Sequence, residues 1–137
     1  VVTKISADGT RLMASTFLGG RYGESVEGVA LDSNGNVLIT GATFSDDFPV
    51  TDGAVQPRFG GSADAFVVKL STDLTRILYA TYIGGEGSDV CRALAIDSAG
   101  MVIIGGAARS SGWPIVNGLQ ANVGSQGTGV LLGLQFQ

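Results

Sequence analysis

An internal repeat is the feature that most constrains the fold of this chain. Residues 28–41 read GVALDSNGNVLITG, and residues 93–106 read ALAIDSAGMVIIGG. The match continues towards the N-terminus, since residues 2–16 align with 67–81, and it defines a unit of about 65 residues. A chain of this kind builds one small arrangement of secondary structure more than once and packs the copies on one another.

Each copy of this segment has the pattern of a tight antiparallel hairpin. Two short apolar stretches flank Asp-Ser-Asn-Gly at 32–35 and Asp-Ser-Ala-Gly at 97–100. An Asp side chain can bind the backbone of such a turn, and Gly supplies positive φ. Oxygen ligands that alternate along 32–36 also suit calcium, but the EF-hand spacing is absent and the second copy lacks the equivalents of Asn34 and Asn36. We therefore interpret the segment as a structural turn.

Four strands are predicted in each unit, with a loop of about 20 residues before the unit is repeated. The predicted strands are 1–6, 11–18, 27–32, 36–42, 65–71, 76–83, 92–97, 101–107 and 129–136. Several are apolar on successive residues, which is typical of strands covered on both faces. The predicted fold class is all-β and β-propeller-like, with two four-stranded antiparallel blades of about 65 residues plus a surplus strand.

A series of short motifs in residues 16–70 resembles a known repeat. The motifs are, in order, FLGG, ALDSNG, TGATFS, DFP, GAVQ and DAFVVKL. Together they resemble the bacterial and archaeal SBBP β-propeller repeat. Residues 76–134 match it with losses, because Trp113 replaces the Phe of Phe-Pro and TGVLLG replaces DAFVVK. The resemblance implies an extracellular or cell-surface β-propeller and implies no catalytic residues.

The number of units predicts self-association. Propellers close with about four to eight blades, whereas we divide this chain into a partial blade at 1–18, a complete blade at 19–83 and a partial blade at 84–137. Another chain or missing sequence would complete the last blade. Open apolar faces and free strand edges favour a homo-oligomeric ring, or a head-to-tail polymer such as a filament or tube. Because the chain does not begin with Met, it is expected to be processed or part of something longer, and an excerpt of a longer propeller is the alternative.

The apolar residues at the two open ends are the candidates for this association. They are Val1, Val2, Ile5, Leu12, Phe17, Val130, Leu132, Leu134 and Phe136.

Catalysis is not predicted. The chain contains no histidine and a single cysteine, which removes the usual neutral-pH base, the Ser-His-Asp and Cys-His arrangements, and metal sites built on imidazole or several thiolates. A glycosidase would need only two carboxylates. However, Glu24 and Asp89 are equivalent in the repeat, as are Asp32 and Asp97, and this recurrence indicates a structural task. Cys91 aligns with Val26 and is interpreted as a small buried hydrophobic residue.

Ligand sites are predicted only as alternatives. Asp46, Asp47 and Asp52 are weak candidates for Ca²⁺, and because the equivalent loop is not acidic we predict no cofactor. The aromatic residues Tyr22, Phe44 and Trp113 are candidates for stacking on a glycan or contacting a protein. A lectin-like propeller that uses the loops 43–64 and 108–128 is therefore the alternative function.

Charge and hydropathy exclude two further classes of partner. The net charge is −4, and no basic stripe is present that could bind a nucleic-acid backbone. No apolar run reaches the roughly 18 to 20 residues that a membrane helix requires. The main prediction is thus a non-enzymatic extracellular structural module that assembles with itself.

Overall fold

The chain folds into β-strands joined by turns and loops. The computed structural model describes residues 1–116 and 127–136, and this part contains no helix, hence none that could cross a membrane. The strands are β1 (Val2–Ile5), β2 (Leu12–Thr16), β3 (Glu24–Leu31), β4 (Val37–Thr43), β5 (Asp64–Leu70), β6 (Ile77–Ile83), β7 (Val90–Ile96), β8 (Val102–Ala108) and β9 (Thr128–Leu134). The all-β prediction is confirmed, and each predicted strand is found. The largest shift in a boundary is at β3, which begins at Glu24 rather than at residue 27.

The strands form three antiparallel sheets. We call them the N-terminal sheet (β1-β2), the middle sheet (β3-β4-β5-β6) and the C-terminal sheet (β7-β8-β9). No sheet is closed within the described residues, so the architecture shown is a set of open antiparallel sheets. The propeller predicted above is not shown. The sheets also differ in size, with two strands in the N-terminal sheet, four in the middle sheet and three in the C-terminal sheet.

The first hairpin of the middle and C-terminal sheets repeats even in its irregularity. The β3-β4 register shifts between Val26 and Gly28, and the β7-β8 register shifts between Cys91 and Ala93. A Cβ atom at Gly41 would collide with the carbonyl oxygen of Ser25 at this bulge, and one at Gly106 would collide with the oxygen of Val90. These two glycines are therefore part of the repeated backbone geometry.

The two central strands of the middle sheet, β4 and β5, are packed on both faces. Along β5, Val67 belongs to a core cluster that also contains Ile104 and Trp113 of the C-terminal half. Its neighbours Phe66 and Val68 belong to a second cluster, against which Val2, Ala14 and Leu18 of the N-terminal segment pack. Alternation with a period of two residues sends successive side chains to opposite faces. The prediction that these strands are covered on both sides is confirmed for β4 and β5, most of whose residues are buried.

Candidate functional site: open faces and edges of the flanking sheets

The N-terminal sheet carries an apolar outer face. Val1, Ile5, Leu12 and Phe17 are all exposed, and Phe17 has 89% of its surface accessible. We call these four residues the outer N-terminal face. Their equivalents in the middle sheet are Phe66, Leu70, Ile77 and Tyr82. Tyr82 is only 1% exposed, and Phe66 and Leu70 are also buried, so the repeat places a covered position at each of these sites except that of Leu12.

Val2, the remaining predicted N-terminal assembly residue, lies on the other side of its sheet. It is half-buried and packs against the core that the N-terminal and middle sheets share. Val2 therefore contributes to contact within the chain, whereas the four residues of the outer N-terminal face remain available to a partner.

Strand β3 carries a second apolar surface, which sequence reasoning missed. Val26, Val29 and Leu31 are 59%, 66% and 64% exposed, and we call them the β3 stripe. Their equivalents in β7 are Cys91, Leu94 and Ile96, which belong to or pack against the core between the middle and C-terminal sheets. The difference arises because the N-terminal sheet has only two strands and none lies over β3. Val29 and Leu31 show the period of two that indicates one face of a strand, whereas Val26 joins that face only because of the bulge between Val26 and Gly28.

The predicted assembly residues near the C-terminus, three in β9 and Phe136 just after it, point inwards. Val130, Leu132, Leu134 and Phe136 are half-buried and pack against the core cluster shared with the middle sheet. Leu131, between them, faces outwards and is 76% exposed. The open apolar position of this strand is therefore Leu131 and not its neighbours Val130 and Leu132, because successive side chains of a strand point to opposite faces.

The two Asp-Ser-x-Gly segments are turns. The Oδ1 of Asp32 accepts hydrogen bonds from the backbone N–H groups of Asn34 and Asn36, and Gly35 has a φ of 79°. In the second copy, Asp97 Oδ1 accepts from Ala99 and Met101, each at 2.8 Å. The turn interpretation is confirmed in both copies.

Asp32 makes a further interaction that Asp97 does not share. Its Oδ2 lies 2.9 Å from Nζ of Lys69 on β5, and both side chains are largely buried, with 13% of Asp32 and 16% of Lys69 exposed. Partial burial raises the pKa of Asp32, but hydrogen bonds from Asn36 and Lys69 lower it by more, to about 2. The carboxylate is therefore held in its charged form, and it ties the β3-β4 turn to β5.

Glu24 and Asp89 organise equivalent loops. Glu24 Oε1 accepts hydrogen bonds from Gly20 N and Ser45 Oγ. Asp89 Oδ2 accepts from Gly85 N and Ser110 Oγ, the corresponding groups of the next unit. These contacts give the recurring acidic pair a structural task in each unit.

Asp64 is the most unusual ionisable group in the described part of the chain. It is fully buried at the start of β5, where its Oδ2 accepts from Gln56 Nε2 and Gly60 N while its Oδ1 has no hydrogen-bond partner. A Cβ atom on Gly84 would lie 2.6 Å from Asp64 Oδ1 and 2.9 Å from Asp89 Oδ2, so the two carboxylates meet over this glycine. Burial, together with the charge of Asp89, raises the pKa of Asp64 to about 6.

Two of the three candidate calcium residues, Asp46 and Asp47, lie beside Arg21, and the third, Asp52, is in an exposed turn. Asp46 and Asp47 lie 3.5 and 3.3 Å from Nε of Arg21, and Asp47 also accepts from the Arg21 backbone N–H at 2.8 Å. Within residues 1–116 and 127–136, no group of three or more acidic, cysteine or histidine side chains could hold a metal ion.

Burial raises the pKa of the Cys91 thiol to about 11, which leaves it in the unreactive neutral form at physiological pH.

The three candidate ligand aromatics separate into two environments. Tyr22 and Phe44 are 63% and 53% exposed on adjacent loops, which are joined by hydrogen bonds from Tyr22 N to Ser45 Oγ and from Phe44 N to Gly23 O. Trp113 is only 6% exposed and belongs to the core cluster. Its place in the repeat corresponds to Phe48, which is also buried, so packing accounts for Trp113 and leaves it unavailable for stacking on a ligand.

No protein-family model matches this chain, and no curated protein matches it either.

Proposed function

We propose that this chain is a non-enzymatic structural module of propeller-type repeats that acts outside the cell and assembles with copies of itself. The observation that carries the proposal is the unequal strand content of equivalent sheets. The middle sheet has four strands, and its β4 and β5 are covered on both faces, whereas the flanking sheets have two and three strands and leave equivalent apolar positions open. Large exposed apolar patches and free strand edges are surfaces on which proteins associate.

The extracellular location rests on the motifs that resemble those of the SBBP repeat, and the non-enzymatic character rests on the chemistry of the site. The recurring carboxylates Glu24, Asp89, Asp32 and Asp97 are used in loops and turns. Because these recurring carboxylates hold loops and turns in place, they support a structural role.

Assembly can be measured directly with two variants. We expect the purified chain to sediment as a species larger than its 13.9 kDa monomer and to give rings or filaments in electron micrographs. Phe17→Glu places a charge on the outer N-terminal face and is expected to weaken association by about tenfold or more. Val55→Glu is the matched control, because Val55 is an exposed loop residue outside these faces. A wild-type chain that stays monomeric at every concentration tested would contradict the proposal.

A recognition module is the second candidate function, and the exposed pair Tyr22 and Phe44 favours it. Two aromatic side chains on adjacent loops can stack on a sugar ring. Binding on a glycan array that is lost in both Tyr22→Ala and Phe44→Ala, but kept in Val55→Ala, would support this function. Equal binding by all of these variants would remove it.

A further inference from the structure

The ion pair between Lys69 and Asp32 is repeated only in part. Its lysine recurs in the N-terminal sheet and its aspartate recurs in the C-terminal sheet. In the C-terminal sheet, Asp97 forms the same turn as Asp32, but β9 carries Gly133 where β5 carries Lys69. In the part of the chain that the structure describes, no cation lies within ion-pair distance of Asp97. In the N-terminal sheet, the equivalent of Lys69 is Lys4.

Lys4 has no acidic partner of this kind within its own sheet. Its Nζ donates a hydrogen bond to the backbone oxygen of Thr72 at 3.2 Å, and the side chain is exposed. The N-terminal sheet consists of β1 and β2 alone and therefore holds no equivalent of the Asp32 turn. One end of the molecule thus presents the lysine and the other presents the aspartate.

The open edge of β1 corresponds to the edge through which β5 binds β4. In the middle sheet, Leu38 stands opposite Lys69 and Val37 opposite Leu70. Transferred through the repeat, this register places Ile103 of β8 opposite Lys4 and Val102 opposite Ile5. The pairing edge of β8 is filled by β9 in the described structure, so β1 and β9 are alternative occupants of one position.

We propose that β1 of a second copy replaces β9 on β8, so that Lys4 of that copy pairs with Asp97 and β2 becomes the fourth strand of the sheet. This inference rests on the proposed self-assembly and specifies its partner strands. Strand exchange of this type uses backbone hydrogen bonds for affinity and side chains for specificity. Each contact joins unlike surfaces, so it is head to tail and can continue from copy to copy.

The same arrangement covers the β3 stripe. Within one chain, a Cβ atom on Gly28 of β3 would lie 3.2 Å from Leu94 Cβ, which shows how closely the β3-β4 hairpin approaches β7. The repeat equivalents of these two residues are Ala93 and Val29. When β7 and β8 of one copy join β1 and β2 of the next, Ala93 of the first copy lies over Val29 of the second, and the stripe is buried.

The composition of β9 weakens its hold on β8 at two positions. Glycine occupies positions 129 and 133 of this strand, where β5 has Ala65 and Lys69. Glycine within a strand gives no side chain to pack and costs more conformational entropy to order. In contrast, β1 brings Lys4 for Asp97. With it comes β2 and, two residues after the end of β2, Leu18, which corresponds to the buried Ile83.

Two substitutions at opposite ends of the chain test the exchange. Lys4→Glu places a like charge against Asp97 of the partner and is expected to raise the dissociation constant about tenfold or more. Gly133→Lys gives β9 its own lysine for Asp97, so β9 competes better with the incoming strand and association weakens in the same direction. A Cβ atom at Gly133 meets only Met101 Sδ at 3.6 Å, which is ordinary contact.

Gly129→Lys is the control, because it adds the same charge to β9 in open space away from Asp97. Association would be followed by analytical ultracentrifugation, and far-ultraviolet circular dichroism would confirm that each variant is folded. The expected result is weaker association for Lys4→Glu and Gly133→Lys, with Gly129→Lys close to the wild type. Wild-type assembly that is unchanged in both test variants would overturn the exchange while the proposed function stands, and it would indicate that β9 stays in place. A wild-type monomer would overturn both.

Discussion

The middle and C-terminal sheets start from nearly the same hairpin and reach different degrees of burial. In both, an Asp-Ser-x-Gly turn joins two strands, a bulge interrupts the first strand, and a glycine accommodates that bulge. In the middle sheet, β5 is buried along most of its length, whereas every second residue of β9 is exposed. The geometry of the hairpin is thus determined by the sequence within each repeat, whereas the burial of a strand depends on which sheet packs against it.

The difference is also chemical. At the positions where β5 has Asp64 and Lys69, β9 has Thr128 and Gly133. Asp64 meets Asp89 at the junction with the C-terminal sheet, and Lys69 binds the turn of its own sheet. The middle sheet therefore carries polar contacts that join elements distant in sequence, and these contacts can be removed one at a time.

The largest expected effect is on packing. Phe66→Ala removes a side chain that is 1% exposed and lies 4.7 Å, between ring centroids, from Phe48, and it is expected to lower the free energy of unfolding by about 3 to 5 kcal/mol. The equivalent change in β9, Val130→Ala, removes less from a half-buried site and should cost about 1 to 2 kcal/mol. Urea denaturation of both variants measures the difference. Equal losses would show that the two strands are equally buried in solution.

The next effect depends on pH and concerns the carboxylate that β9 lacks. The pKa of Asp64 in the folded chain, about 6, lies above its ordinary value of 3.8. The folded chain therefore takes up a proton between about pH 6 and pH 4 that the unfolded chain does not, and stability rises as the pH falls through this window. At pH 8 the buried charge costs about 2 to 3 kcal/mol.

Asp64→Asn removes this charge and keeps an oxygen to accept from Gln56 and Gly60. The variant is expected to be more stable than the wild type at pH 8, and to lose the rise in stability between pH 6 and pH 4. Thermal unfolding followed at several pH values provides the measurement. Parallel pH profiles for the two proteins would contradict the assignment to Asp64.

Hydrogen bonds from Ser71 and Thr75 lower the pKa of Asp73 to about 2, close to that of Asp32. Protonation of these two carboxylates removes stability as the pH falls from about 3.8 through 2, so their effect has the opposite sign and is separate from that of Asp64.

Much of the fold follows from local rules that a repeated sequence makes visible. The strands and the turns at Asp32 and Asp97 were predicted correctly, because alternation, turn residues and recurrence all point to the same structure. Alternation places Val130, Leu132 and Leu134 on one face of β9, but it does not say whether that face or the opposite one is turned towards the core. The inward face is set by packing between sheets and cannot be read from the strand alone.

The contacts across sheets were the part that the sequence did not reveal. Asp64 is one of several acidic residues in the chain, and its meeting with Asp89 depends on the close approach of Gly84 to both. Similarly, exposure of the β3 stripe depends on how many strands lie opposite. Trp113 is different, since its equivalence to Phe48 already indicated a packed position. Comparison of the copies was informative wherever the environment of a residue is repeated, and failed where the number of neighbouring strands changes.

The smallest effect tests the ion pair that distinguishes β5 from β9. Lys69→Met keeps much of the side-chain stem but removes the charge that faces Asp32, and is expected to lower the free energy of unfolding by about 1 kcal/mol at neutral pH. The partial burial of both side chains makes this pair more effective than a fully exposed one. Lys69→Arg, which keeps the charge, is the matched control and should retain most of the stability. Because the pKa of Asp32 is about 2, lowering the pH from about 3.8 through 2 protonates Asp32, and the difference between Lys69→Met and the wild type should shrink in that range. A difference that persists undiminished at pH 2 would assign the effect to lost packing against Phe136, whose ring centroid lies 4.7 Å from Lys69 Nζ.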